Sequence, residues 1–260
     1  MYPILFEIGP VKIASYGTMI AIGFLLALYM CERRAVKFGL DKDRIFSLGL
    51  TAIISGIIGA KLLYYIVEID YFIANPKALL DLNSGFVVYG GIITGVLCGY
   101  IYCRRHKLEF GRYFDLVMPS VALAQGFGRI GCFLAGCCYG RETHSHLGVV
   151  FTDSPFAPNN VPLLPTQLFS SAGLFILTGV LVWYAGRKER KTFRVAGLYM
   201  ILYSIGRFVI EFFRDDDRGS VGRLSTSQFI SIGIVILGIV IFNLSSILRG
   251  KRSQASGIEE

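Results

Sequence analysis

Residues 46–67 read FSLGLTAIISGIIGAKLLYYIV, an apolar run interrupted by a single charge, Lys61. A helix needs about 20 mostly apolar residues to cross the hydrocarbon layer of a bilayer, and this run meets that length by itself. Six further runs of the same kind flank it, at 14–31, 86–103, 114–134, 166–186, 196–213 and 227–248. The expected fold is therefore an all-α integral membrane protein with seven transmembrane helices. They form one polytopic domain over residues 1–252, with an outer loop at about 140–165 and a loose polar tail at 253–260. Between the second and third runs, the polar stretch 70–84 reads as a short interfacial helix.

Composition agrees. The 260 residues are 53% hydrophobic and 17% charged, with a mean hydropathy of +0.57. Soluble domains carry roughly 25% charge, and disordered chains need low hydrophobicity. The first run lacks the basic start of a signal peptide and ends in Glu32-Arg33-Arg34 rather than a small-residue cleavage site, so it is expected to be retained. The formal charge of +8 (26 Lys and Arg against 18 Asp and Glu) need not mean nucleic acid. The segments after the first, third, fifth and seventh runs hold seventeen Lys and Arg, and the opposite side holds six. Basic loops stay cytoplasmic. This places the N-terminus outside, the C-terminus in the cytoplasm, and residues 141–162 on the outer face. No nucleic-acid partner is expected.

Small residues recur every four positions at Gly91, Gly95 and Gly99 and at Ala52, Gly56 and Ala60. That spacing lets helix backbones approach closely in lipid, so both stripes are read as packing surfaces.

Three basic residues fall inside the apolar runs: Lys61, Arg129 and Arg207. A charge at the centre of a membrane helix costs at least about 2.5–3.5 kcal/mol and faces the bundle interior or a wet cavity. Lys61, near the outer third of its run, is expected to snorkel its amine outward. Arg207 and Glu211 are four apart and meet on one helical turn. Tyr203 lies one turn earlier, making a polar stripe on an apolar helix. Arg129 sits in Gly126-Phe127-Gly128-Arg129-Ile130-Gly131. The glycines formally match G-x-G-x-x-G, but the dinucleotide fingerprint needs a strand–turn–helix context that a membrane segment does not supply. Here they leave room beside the guanidinium and let the helix loosen. A planar guanidinium clasps phosphate through two hydrogen bonds. In a membrane the obvious phosphate is a lipid head group, and Arg207 is the candidate second arm of the clamp.

Cys132, Cys137, Cys138, His144 and His146 crowd the next stretch. Their spacing, C-x4-C-C-x5-H-x-H, matches no common zinc pattern. Three readings stay open: a metal site, an oxidised pair, and small buried fillers.

Gly128-Arg129-Ile130-Gly131 through Gly140, with Ser15-Tyr16-Gly17, Tyr89-Gly90-Gly91, Pro165-Thr166-Gln167 and Tyr203-x-x-x-Arg207-x-x-x-Glu211-Phe212-Phe213-Arg214, resembles prolipoprotein diacylglyceryl transferase over about residues 10–248. The resemblance implies a seven-helix enzyme of the bacterial inner membrane. Its expected reaction moves a diacylglyceryl group from phosphatidylglycerol to the lipobox cysteine thiol of a prolipoprotein signal peptide and releases glycerol-1-phosphate. It implies no metal and no organic cofactor; its partners are phosphatidylglycerol, lipobox-bearing prolipoproteins and membrane lipids. It implies that Arg129 and Arg207 hold the lipid phosphate, that Glu211 positions Arg207, and that Tyr16, Tyr89, Gly140 and Tyr203 are catalytic or supporting residues. The sequence departs from the family pattern at Tyr89, Cys132, Cys137 and Leu164, where His, Asn, Glu and His are frequent, which leaves the general base open. The competing readings are a lipid transporter or binding protein with the arginines along its path, and a metal-dependent membrane hydrolase built on Cys137, Cys138, His144 and His146.

Overall fold

The computed structural model describes residues 2–9, 11–80, 85–187, 191–215 and 219–256. Each apolar run lies in a helix of 18 residues or more: α1 (Ser15–Lys37), α2 (Lys42–Val67), α4 (Val88–Arg105), α5 (Phe110–Ala135), α6 (Thr166–Ala185), α7 (Arg194–Glu211) and α8 (Thr226–Ser256). Four are long and apolar enough to cross a membrane: Lys42–Val67, Phe110–Ala135, Thr166–Ala185 and the Thr226–Leu244 part of α8. The polar stretch after α2 forms a short helix, α3 (Ile69–Ala74), and a 3-10 turn, Pro76–Leu80; residues 81–84 lie outside the described residues. Of the tail, residues 253–256 continue α8 and 257–260 lie outside the described residues.

The polarity of the surface is reversed from that of a soluble protein. Ile54, Ile57, Ile58, Leu62 and Ile66 on α2 and Ile176 and Trp183 on α6 are each more than half exposed, while Asp115, Ser120, Gln167 and Ser171 are buried. Apolar area on that scale is tolerated only against another apolar phase, here lipid.

The chain divides into two units, residues 1–31 with 114–260, and residues 32–113. In the second unit α2 packs antiparallel to α4 through the two small-residue stripes. A Cβ on Gly91 would lie 2.8 Å from the Gly56 carbonyl oxygen, and one on Gly95 would lie 3.3 Å from that of Ala52. Thr94 Oγ1 donates to the Ser55 carbonyl at 2.9 Å across the same seam. Asp41 caps α2 by accepting from the backbone N–H groups of Asp43 and Arg44.

Lys61 does not snorkel outward as expected. It is buried, and its ammonium lies 5.2–5.3 Å from the ring centres of Tyr64, Tyr65 and Phe86. Three ring faces replace water around the cation, which rich local aromatic content makes cheaper than a stretch to the interface.

In the first unit an unforeseen hairpin, β1 (Ile4–Ile8) with β2 (Val11–Ala14), precedes α1. Its strands carry Glu7 opposite Lys12, paired at 3.3 Å. The strands are too short to stand out against the long apolar run that follows. A second two-stranded ladder, β3 (Val149–Val150) with β4 (Pro162–Leu163), orders the 140–165 loop over a small core of Phe151, Ala157 and Leu163. A third, β5 (Ser220–Val221) with β6 (Leu224–Ser225), leads into α8.

α5 remains a regular helix through Gly126, Gly128 and Gly131, so these glycines do not loosen it. Two of them are contact points instead. The Phe175 ring of α6 occupies the space where a Gly126 side chain would be, and a Cβ on Gly131 would stand a tight 3.2 Å from Tyr16 and Met19 of α1. Three polar links then lock α5 to its neighbours. Ser171 of α6 donates to the Gly126 carbonyl, Tyr199 of α7 donates to Gln125 Oε1 at 2.9 Å, and Asp115 accepts from the Ala196 N–H at 2.9 Å. The last is a helix cap supplied from another helix: α7 has no side-chain cap of its own, and a carboxylate at its third N–H satisfies an orphan donor and opposes the positive end of the dipole.

The α2–α4 seam predicts a graded response to added bulk. Gly91→Val is expected to cost about 1–3 kcal/mol through overpacking against backbone. Gly99→Ala, whose Cβ would meet Leu48 at an ordinary 3.6 Å, is expected to be near neutral. Thermal unfolding of the detergent-solubilised variants measures both.

Candidate active site

α6 and α7, with Arg129 of α5, line a half-open cavity of about 280 Å³, at the small end of ligand pockets. Its walls are mostly aliphatic and aromatic, with Phe169, Leu174, Leu177, Leu202 and Ile210 among them. Arg129 from α5 and Tyr203 and Arg207 from α7 supply the polar groups that line it, together with Ser170 of α6. The two guanidinium groups that the sequence singled out therefore share one cavity, and each lies within electrostatic reach of the other. Tyr203 is held by stacking on Tyr199, with ring centres 5.5 Å apart and planes 17° from parallel.

The Arg207–Glu211 pair forms as the spacing predicts, with Arg207 Nη1 2.7 Å from Glu211 Oε2. The network is larger than the pair. Arg214 Nε stands 3.9 Å from the same carboxylate oxygen, Ser225 Oγ donates to Glu211 Oε1 at 3.0 Å, and Arg207 Nη2 donates to Ser227 Oγ at 2.8 Å. All three charged side chains are largely buried, at 13% exposed for Arg207, 7% for Glu211 and 3% for Arg214. Arg214 belongs to the sequence pattern that ends at residue 214, but spacing alone assigns it no role. It follows α7 where the helical period no longer applies, and Ser225 and Ser227 return from the next turn of chain.

Gly140 sits where no side chain fits. A Cβ there would lie 2.7 Å from the carbonyl oxygens of Leu164 and Phe213 and from Thr166 Cγ2. Its N–H donates to the Leu164 carbonyl, and the Arg141 N–H donates to that of Phe213, both at 3.0 Å. Residues 140–141 thus stitch the chain before α6 to the chain after α7, one residue from Arg214. Tyr16 opens α1 and packs on Gly131, two positions from Arg129, whose charge reaches it. Tyr89 lies in the other unit, half-exposed in the first turn of α4.

The cysteines do not assemble with the histidines. His144 and His146 are exposed. The thiols of Cys137 and Cys138 instead gather with that of Cys132, all three sulfurs within 4.8 Å of one another. Hydrogen bonds from Cys132 and Cys137, and the neighbouring Arg214, hold the Cys138 thiol well below the ordinary thiol range. Cys137 is pushed up, first by its hydrogen bond with Cys132. The four-residue metal site of the hydrolase reading is not formed.

The family model for prolipoprotein diacylglyceryl transferase matches residues 3–244. The chain belongs to that family. A protein of Clostridium tetani named phosphatidylglycerol–prolipoprotein diacylglyceryl transferase is 52% identical across 94% of this chain and 98% of its own length. A second protein of that name from Clostridium perfringens is 47% identical over 96% and 97%, and one from Streptococcus uberis is 35% identical over 92% and 93%. Membership makes the chain a membrane protein of the diacylglyceryl transferase family, and the transporter and hydrolase readings are not favoured.

Removing the shared counter-charge should expose its weight. Glu211→Gln removes the carboxylate that Arg207 and Arg214 share and is expected to cost about 3–5 kcal/mol. Glu142→Gln, at an exposed position, is expected to change nothing. Chemical or thermal unfolding in detergent separates the two.

Proposed function

We propose that this protein transfers the diacylglyceryl group of phosphatidylglycerol to the thiol of a prolipoprotein's lipobox cysteine, with release of glycerol-1-phosphate. The observation that carries this reading is the placement of two guanidinium groups in one otherwise apolar cavity of a chain belonging to this family. An anionic head group attached to a hydrocarbon body is the ligand that such a wall fits. Arg129 and Arg207 hold the phosphate, and the aliphatic wall takes the start of the acyl chains.

The chemistry follows from charge. The peptide thiol must lose its proton, since the thiolate is the nucleophile, and an electropositive cavity favours that loss. The sulfur attacks the glyceryl carbon that bears the phosphate ester, a C–S bond forms, and the C–O bond to phosphate breaks. The electron pair leaves on glycerol-1-phosphate. Guanidinium groups already positioned around that phosphate stabilise the charge as it develops. Glu211 acts through Arg207: its carboxylate fixes the guanidinium's orientation, and Arg214 and Ser225 fix the carboxylate. Tyr203 offers a hydroxyl at the cavity wall. Tyr16 holds the α5 backbone next to Arg129, and Gly140 permits the close chain crossing. Tyr89, in the other unit, takes a supporting role on the family pattern alone.

The seven long helices span the bacterial cytoplasmic (inner) membrane, with the N-terminus outside and the C-terminus in the cytoplasm. The basic loops serve this topology and no nucleic acid. The 140–165 loop then faces the side on which prolipoprotein signal peptides arrive.

Purified protein incubated with phosphatidylglycerol and a lipobox peptide is expected to give a peptide heavier by one diacylglyceryl group, together with glycerol-1-phosphate, by mass spectrometry. No adduct from folded protein would overturn the reading. Arg129→Lys keeps the charge and loses the planar fork; it is expected to insert normally and to lose about 100-fold or more in turnover. Near-normal turnover in that variant would remove phosphate clasping from Arg129.

Orientation has its own test. A cysteine placed at exposed His146 is expected to react with a membrane-impermeant maleimide in intact cells above the background of the unmodified chain. Labelling only after lysis would reverse the topology.

A further inference from the structure

The geometry points to a three-sulfur site for one thiophilic d10 cation of the Zn2+ class, formed by Cys132, Cys137 and Cys138. Among the described residues these are the one group of three or more metal-capable side chains brought together. The backbone builds the cluster. Cys132 lies on the last turns of α5, which ends at Ala135. Gly136, at φ +75°, reverses the chain, and the Cys137 N–H donates back to the Cys132 carbonyl at 3.1 Å. Cys138 takes a left-handed φ of +62°, which costs a residue with a side chain.

α6 holds that strained turn in place. Thr166 Oγ1 donates to the Cys138 carbonyl at 3.0 Å, and Gln167 Nε2 donates to that of Cys137 at 2.8 Å. The turn that carries Cys137 and Cys138 is thus held by contacts that involve no sulfur, so the backbone of the site is preorganised. Zinc–thiolate bonds of about 2.3 Å put tetrahedral sulfurs about 3.8 Å apart. Separations within 4.8 Å close to that value by small side-chain rotations.

The charge also balances. Three thiolates around a divalent ion leave one negative charge, and the largely buried Arg214 hydrogen-bonds to Cys138. A guanidinium would repel a bare cation but complements an anionic trithiolate complex, in the manner of an outer-shell partner. The fourth position is open to water or to a small ligand. The ion ties the end of α5 to the turn that leads into Gly140.

The test uses the full-length protein in detergent, reduced and stripped with a chelator. Cd2+ is added and the cadmium–thiolate charge-transfer absorption followed in the ultraviolet. The expected band saturates at one Cd2+ per chain and is displaced by Zn2+. Its affinity falls at least tenfold in each of Cys132→Ser, Cys137→Ser and Cys138→Ser, while Cys98→Ser, on α4, leaves it unchanged. In case a serine variant fails to fold, Zn2+ added to the unaltered protein is expected to protect these three thiols from alkylation, mapped by mass spectrometry, with no change at Cys98. A folded, reduced protein that gives no band, a band that survives Cys132→Ser, or alkylation indifferent to Zn2+ would overturn the site. So would a stable disulfide among the three with no metal uptake after reduction.

Discussion

A guanidinium inside a lipid-embedded bundle is tolerable only beside a counter-charge, and one carboxylate, Glu211, supplies it here. Its two oxygens serve Arg207, Arg214 and Ser225 together. Around that point the chain after α7, the start of α8 and the 140–141 crossing all converge. Arg129 carries its charge on the facing helix, and the cavity between the two arginines keeps that charge available to a ligand. The same buried positive field that would destabilise an empty bundle becomes useful once an anion enters.

The second dependence is on close helix approach. Gly56 against Gly91, Gly126 against Phe175 and Gly131 against Tyr16 are places where a missing side chain sets the distance between elements. Polar links then fix the register that the glycines permit: Thr94 to Ser55 in one unit, and Ser171, Tyr199 and Asp115 in the other. Interhelical bonds of this kind are worth only about 0.6–2 kcal/mol each in a membrane, so they fix register more than they supply stability.

The sequence told most where its periods were long. The helices followed from apolar runs, and the Arg207–Glu211 contact followed from a spacing of four. The small-residue stripes at Gly91 and Ala52 were legible as packing for the same reason. What stayed hidden lies past the ends of helices, where no period applies. Arg214, Ser225 and Ser227 complete the ion network from a turn and the next helix. Cys132 joins Cys137 and Cys138 because Gly136 and Cys138 adopt left-handed backbone, which the residue pattern at 132–146 did not announce; there the two histidines drew attention to the wrong partners. The burial of Lys61 is not legible in its own run because the ring of Phe86, distant along the chain, completes its aromatic surroundings.

The Asp115 cap has a mechanical consequence. Together with the Tyr199–Gln125 bond it pins α7 to α5 near the start of α7, and Ser227 couples Arg207 to α8. From Tyr199 to Arg207 is eight residues, a lever arm of about 12 Å at 1.5 Å per residue. A tilt of about 5° around the pinned end carries the guanidinium through about 1 Å. Ser227 on α8 is the contact that holds the far end of that arm against such a tilt, and so sets the gap between Arg129 and Arg207.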